Sequence, residues 1–266
     1  MTRKRSEVQS LVGAQRKVRD RHAKGRKFDP SRAHNLKIQI VYENKDFLAI
    51  NKPAGVLVHH TNSKNENETL TDWLISNYPE IKNIGDDPDS RPGIVHRLDK
   101  DTSGILLIPK TQEYFYYLKN LFQRHEVKKT YLALARGMIK GDSGLIDKPI
   151  GLKPGTVKRT VFTKNAKMIK EAVTHYKVKE RLPNHTLLEV YPKTGRTHQI
   201  RVHLASIGHP VVGDKVYGGK DNSLGRLFLH AYSIEFSPEP GKNLKLTADL
   251  PDDLTQYLRS AKLAGQ

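Results

Sequence analysis

Residues 91–104 read Arg91-Pro-Gly-Ile-Val-His-Arg-Leu-Asp-Lys-Asp-Thr-Ser-Gly104 and run directly into Ile105-Leu-Leu-Ile-Pro109. The second stretch is short, continuous and apolar, the pattern of a strand buried on both faces. The first is dense in polar and charged side chains. Placed ahead of a buried strand, it becomes a loop whose side chains are displayed on a rigid support. Asp99 and Asp101 are two residues apart, so in an extended loop they face opposite sides, which argues against a paired-carboxylate acid/base device. One carboxylate flanked by Arg97 and Lys100 is favoured as the anion. In a basic, polyanion-facing cleft it is a candidate nucleophile or base. A loop aspartate capping a backbone amide is the plainer alternative.

Working outward, the elements alternate. Ile38–Tyr42 and Asp46–Ile50 read as strands around a turn at Glu43-Asn44-Lys45. Lys52-Pro-Ala-Gly55 is a turn signal, residues 61–69 a polar loop, and Thr71–Ile75 opens a short helix. Downstream of the strand, residues 111–124 place Phe115, Leu118 and Phe122 on one helical face, with Thr111 as N-cap. Tyr131–Ala135 is a strand. Residues 172–179 and 186–191 alternate as a hairpin through Pro183-Asn184. Residues 197–206 form a helix ended by Gly208, 228–236 a strand and 251–263 a terminal helix. Many antiparallel strands with interspersed helices predict an α+β fold.

The 266-residue chain has no cysteine and a formal net charge of +18. A chain of this size buries roughly 70–75% of its unfolded surface and needs no disulfide or metal staple. The absence of thiols excludes disulfide frameworks, thiolate metal sites and cysteine nucleophiles. Its charge favours polyanions, nucleic acid above all. Eleven Lys and Arg fall within residues 1–35 against Glu7, Asp20 and Asp29. Such a segment cannot offset its ordering entropy by burial. Residues 1–35 are therefore expected to be a basic, flexible arm, and residues 36–266 the folded body. No apolar run approaches the ~20 residues of a membrane span. Met1-Thr-Arg-Lys-Arg5 leads into no apolar segment, so no secretory signal and a cytoplasmic location are expected.

The phosphate loop, the dinucleotide-binding glycine pattern, the H-E-x-x-H helix and the nucleophile elbow are all absent, so no cofactor is expected. His198 and His203 lie five apart with no thiol or helical carboxylate beside them, so no metal is expected there. Lys193-Thr-Gly-Arg-Thr-His-Gln-Ile-Arg-Val-His203 gathers Arg196, His198, Arg201 and His203 at a helix start. Helix N-termini favour anions, so a phosphate or carboxylate partner fits, and so does a solvated basic face.

Together these segments resemble the RluA-type RNA pseudouridine synthases over most of residues 38–236. The resemblance rests on His96-Arg97-Leu98-Asp99 continuing into Thr102-Ser-Gly104, on Lys129-Thr-Tyr131-Leu-Ala133, on Gly195–His203, and on Leu229-His-Ala231. Lys52-Pro-Ala-Gly55 and His209-Pro-Val-Val-Gly-Asp214 are also similar to family blocks. The resemblance implies a long, mostly antiparallel mixed sheet flanked by helices, with a central cleft. It also implies isomerisation of uridine to pseudouridine in ribosomal or transfer RNA without cofactor; a monomer is the default expectation. It casts Asp99 as the catalytic aspartate, attacking C1′ or removing the C2′ proton. Tyr131 becomes the ring that stacks on the uracil and a candidate for removing the C5 proton, and Arg201 the partner of the carboxylate. Arg97 would fill the space a flipped base leaves. His96, Arg196, His198 and Leu229 would line the substrate site. Relatives often carry a small N-terminal RNA-binding module. The segment preceding the body here is too polar for one and would supply non-specific RNA affinity instead. Two other readings compete: a non-catalytic RNA-binding or ribosome-assembly factor, and a glycosidase or nucleoside hydrolase using Asp101 or Asp214 as a second acid.

Overall fold

The computed structural model describes residues 36–60, 68–218 and 224–263. The expected basic arm, residues 1–35, lies outside the described residues.

The buried strand expected after the polar loop is β3 (Ser103–Pro109), and all seven of its residues are buried. A strand so placed must be covered on both faces. It pairs antiparallel with β2 (Phe47–Lys52), which pairs with β1 (Gln39–Glu43). On its other side it pairs in parallel with β11 (Leu229–Phe236), through Ser103 and Gly104 alone. Beyond that point β12 (Leu244–Thr247) lies against β11 instead. The sheet continues through β4 (Lys128–Arg136), β10 (His185–Pro192) and β9 (Val173–Leu182) to β5 (Ser143–Asp147), all antiparallel. A separate three-stranded sheet is built from β6 (Ile150–Leu152), β7 (Arg159–Thr160) and β8 (Lys167–Lys170).

Gly104 sits where the parallel pair makes its closest approach. Its φ is +120°, and a Cβ there would run into the Ala231 backbone. Only glycine allows β3 to reach β11 at this point, which is where the polar loop enters the sheet.

Among the described residues, four α-helices complete the layers. In α1 (Leu70–Asn77), Leu70, Trp73 and Leu74 are buried, and the Asp72 carboxylate accepts the Thr69 N–H at 2.8 Å. In α2 (Gln112–Gln123), Thr111 caps the Tyr114 N–H at 3.1 Å, and Phe115, Leu118 and Leu121 face inward. These two helices cover the β1–β3 half of the sheet and share one apolar core with it. α3 (Gln199–Ser206) and α4 (Asp252–Leu263) close a second core around β4 and β10. Tyr131 of β4 packs against both cores. No described helix is long and apolar enough to cross a membrane.

The helix expected from residue 197 begins at Gln199, because His198 adopts a left-handed conformation (φ +58°) and turns the chain into α3. Strands β5–β8 and β12 were not anticipated. They are short, and β8 is exposed throughout, so they lack the apolar alternation that announces a strand.

Candidate active site

Where the two cores meet, a cleft of about 730 Å³ opens. It is in the size range of small-molecule and nucleotide sites. Its wall includes Arg97, Asp99, Tyr131, Arg196, His198, Arg201 and Leu229, with His96 at its inner side. The eight residues that the resemblance casts in the site thus line one cavity, although they come from the loop before β3, from β4, from α3 and the turn before it, and from β11.

The loop carrying Asp99 is fastened at several points. Ile94 and Leu98 are buried in the first core. The Thr102 N–H donates to Asp99 O at 3.2 Å, and the Gly55 N–H to Lys100 O at 2.9 Å. Lys52 is fully buried, and its ammonium donates to Pro53 O, Val56 O and Lys100 O at 2.8, 2.9 and 3.1 Å. Burial pushes this lysine down to about 7. The Lys52-Pro-Ala-Gly55 turn is therefore the base on which the loop rests. Between the anchors, Asp99 faces the cleft and Asp101 faces solvent. The expected opposition of the two carboxylates is what the backbone delivers.

Arg201 lies behind Asp99. Its Nη1 reaches Asp99 Oδ2 at 3.2 Å. Its stronger attachment is to a residue given no role beside it in the sequence reading: Nε donates to Asp214 Oδ2 at 2.7 Å and Nη2 to Asp214 Oδ1 at 2.9 Å. Asp214 is buried and also accepts the Val216 and Tyr217 N–H groups. Burial pushes the Asp214 carboxyl up, but Arg201 and these amides outweigh it and hold it below the usual range. Arg201 is raised above the ordinary arginine range: burial opposes its charge, and Asp214 and Asp99 more than compensate. The forked pairing fixes the guanidinium plane, so its third donor is aimed at Asp99. Asp214 stood in a quoted segment. Its link to Arg201, 13 residues away and in another element, had no local signal.

His198 Nε2 is 3.9 Å from Asp99 Oδ2. Its Nδ1 meets the Tyr217 hydroxyl at 3.0 Å, and that hydroxyl accepts the Arg159 N–H at 3.0 Å. The Arg159 contact uses an acceptor site of the hydroxyl and leaves its proton free to meet Nδ1, an arrangement that matches the His198 tautomer with its proton on Nε2, toward Asp99. Burial lowers His198 below the ordinary histidine range, against the pull of Asp99. Gln199 ties the turn before α3 together. Its Oε1 accepts from Thr194 Oγ and the Arg196 N–H, and its Nε2 donates to Val173 O and Thr174 Oγ1. His203, grouped with the basic cluster in the sequence, is fully buried between Thr174 Oγ1 and Lys148 O, so it is a structural residue.

Tyr131 is half-buried, and burial with the nearby Asp99 charge pushes its phenol up, above the ordinary tyrosine range. Both effects disfavour the phenolate, and the ring itself lines the cleft beside Asp99. His96 stacks on Phe122 with ring centroids 4.4 Å apart, and its Nε2 accepts the Leu107 N–H at 2.8 Å. Burial lowers it to about 3. One ring nitrogen thus fastens the loop to the free edge of β3, and only Nδ1–H remains for a ligand. Arg97 is exposed at the rim, with Nη1 3.5 Å from His59 Nε2. Arg196 donates through Nε to Glu171 O at 2.9 Å.

Residues 46–206 match the family described as RNA pseudouridylate synthase. The chain is 40% identical over 240 residues to the ribosomal large subunit pseudouridine synthase D of Nitrosomonas europaea, covering 86% of this chain and 67% of that one. It is 37% identical over 246 residues to the enzyme of the same name from Haemophilus influenzae, covering 86% and 72%. Among solved structures, human RNA pseudouridylate synthase domain containing 1 aligns with a TM-score of 0.64 at 27% identity, covering 84% of this chain and 95% of that one. A carboxylate held against a buried arginine, beside a tyrosine ring and in a cleft on a mixed sheet, is accordingly set in a chain that belongs to the RNA pseudouridylate synthase family, an enzyme that isomerises uridine within RNA.

Proposed function

We propose that this enzyme modifies uridine in the RNA of the large ribosomal subunit and that Asp99 carries the reaction. The observation that supports the chemistry best is the geometry of one carboxylate. Asp99 is the acidic side chain lining the inner part of the cleft, with Arg201 Nη1 3.2 Å away and itself locked by Asp214. In a cleft built for a polyanion, an acid has no binding use, and a nucleophile or base does. The names of the relatives support the choice of RNA.

The roles then follow from position. A uridine reaches this depth only if extruded from its stack. Exposed Arg97, at the rim, takes up the vacated space. The Tyr131 ring stacks on the uracil with Leu229 beside it. His198 and Arg196 contact the ribose or its phosphates from the α3 side. Residues 1–35 add non-specific RNA affinity to the folded body, residues 36–266.

The target is tested by mapping pseudouridine through carbodiimide-dependent reverse-transcription stops, on total RNA from cells with and without the gene. The expected result is a stop in large-subunit ribosomal RNA that disappears on deletion and returns with the wild-type gene. A site lost from transfer RNA instead would overturn the choice of RNA.

A further inference from the structure

Lys129 is an uncommon lysine. It stands on β4 two residues before Tyr131, and a strand presents residues i and i+2 on the same face. The irregularity in this part of the sheet falls on β11, between Ala231 and Ser233, so the alternation of β4 is undisturbed. Both side chains line the cleft. Lys129 is withdrawn from water, and burial alone lowers its ammonium below the usual lysine range. No hydrogen bond or ion pair satisfies it among the described residues. Its neighbour Lys128, one residue away and exposed, is paired with Glu235 at 2.8 Å. The acids near the cleft are engaged elsewhere: Asp99 with Arg201, and Asp86 with Lys119 at 2.9 Å. The charge of Lys129 reaches His96 and helps keep that ring neutral.

A desolvated cation with no partner costs stability and persists where a ligand supplies the missing charge. The exposed arginine Arg91, at the rim, is placed for a backbone phosphate. Lys129 is deeper, next to the ring that faces the base. We propose that Lys129 donates to a carbonyl oxygen of the flipped uracil and stabilises the negative charge the ring takes on when its bond to the ribose breaks. This rests on the assignment of Asp99 and Tyr131 given above.

The chemistry balances. When N1–C1′ breaks, the bonding pair leaves with the ring and spreads over N1, O2 and O4. C1′ is meanwhile bonded to an Asp99 oxygen, or becomes doubly bonded to C2′ after the C2′ proton passes to Asp99. The ring turns and C5 bonds to C1′. The C5 proton is lost to solvent, N1 takes one up, and Asp99 is released by breaking its ester or returning its proton. No oxidant or reductant enters. A cation fixed at a ring oxygen acts in the step where charge develops, and exclusion of water strengthens it.

The test compares Lys129→Met, Lys129→Arg and Asp99→Asn in the full chain. Tritium release is followed under single turnover from [5-³H]uridine-labelled large-subunit ribosomal RNA taken from cells lacking the gene. RNA affinity and thermal unfolding are measured alongside. Lys129→Met is expected to slow the bound reaction about 100-fold, the scale of one lost oxyanion donor. Its RNA affinity should stay within threefold, its Tm should not fall, and Lys129→Arg should recover at least tenfold of the rate. A Lys129→Met rate within threefold of wild type overturns the proposal. So does a loss confined to affinity with a shallower salt dependence, which would make Lys129 a phosphate contact. A fall in Tm that Lys129→Arg fails to repair would make it a packing residue and overturns it too. If Asp99→Asn reacts at the wild-type rate, the site assignment fails and takes this inference with it. An inactive Asp99→Asn beside an unimpaired Lys129→Met removes the inference alone.

Discussion

At the scale of single residues, the cleft works through one fork. Asp214 fixes two donors of Arg201 and leaves a third for Asp99. Breaking a buried pair by removing one charge costs about 3–5 kcal/mol, because the survivor stays buried without compensation. Asp214→Asn keeps the volume and removes the charge. It should destabilise the fold by about 3 kcal/mol in chemical denaturation. It should also slow the reaction at least tenfold, because Arg201 is no longer aimed. An Asp214→Asn enzyme with wild-type rate would mean that Asp99 needs no oriented arginine. The sequence displayed Asp99, Tyr131 and Arg201 in contiguous motifs. It did not display the Arg201–Asp214 fork or the Tyr217 hydroxyl that orients His198, since those contacts join separate elements in space. His96 shows the converse: a motif residue read as substrate-facing turns one ring nitrogen to a strand edge.

At the scale of elements, the polar loop has its position because β3 is wholly buried and meets β11 at one point. Gly104 is the hinge of that meeting, with φ +120° and the Ala231 backbone against it. Gly104→Ala adds a Cβ where neither strand can yield, in a conformation that alanine avoids. The expected cost is at least about 3 kcal/mol, read in denaturant unfolding, with reaction rate falling alongside it because the Asp99 loop shifts. Stability within about 1 kcal/mol of wild type would show that the β3–β11 approach is slack. Elements with a strong period or a defined cap were legible. The α2 helix begins after its Thr111 cap, and the β9–β10 hairpin turns at Pro183-Asn184, where Asn184 takes φ +58°. The start of α3 was misplaced by a left-handed His198, which no periodicity reveals. The β6–β8 sheet escaped because its strands are very short and β8 is exposed throughout, so β8 is defined by pairing rather than by burial.

At the scale of the whole molecule, charge governs encounter with RNA. The chain carries +18, nearly half of it within residues 1–35. Each phosphate neutralised lowers the slope of log affinity against log salt by about 0.7 to 0.9. Removing residues 1–35 should weaken RNA binding at physiological salt by about tenfold or more and flatten the salt dependence by several units. The rate of the bound reaction should hardly change. An unchanged slope would show the arm to be inert toward RNA. The α+β class was legible in antiparallel-looking strands with interspersed helices, whereas the long mixed sheet with a central cleft was implied only by the resemblance of the motifs. The position of the cleft was not, since it lies where two cores meet on strands distant in sequence.

The central claim is that the Asp99 carboxylate of this cleft drives uridine isomerisation. The most direct measurement is tritium release from [5-³H]uridine-labelled RNA of cells lacking the gene, by purified wild type and Asp99→Asn at equal RNA occupancy. The account predicts release by wild type, with pseudouridine in the digested RNA, and at least a 1,000-fold slower reaction for Asp99→Asn despite unchanged binding. Release by Asp99→Asn at a rate near wild type would contradict it.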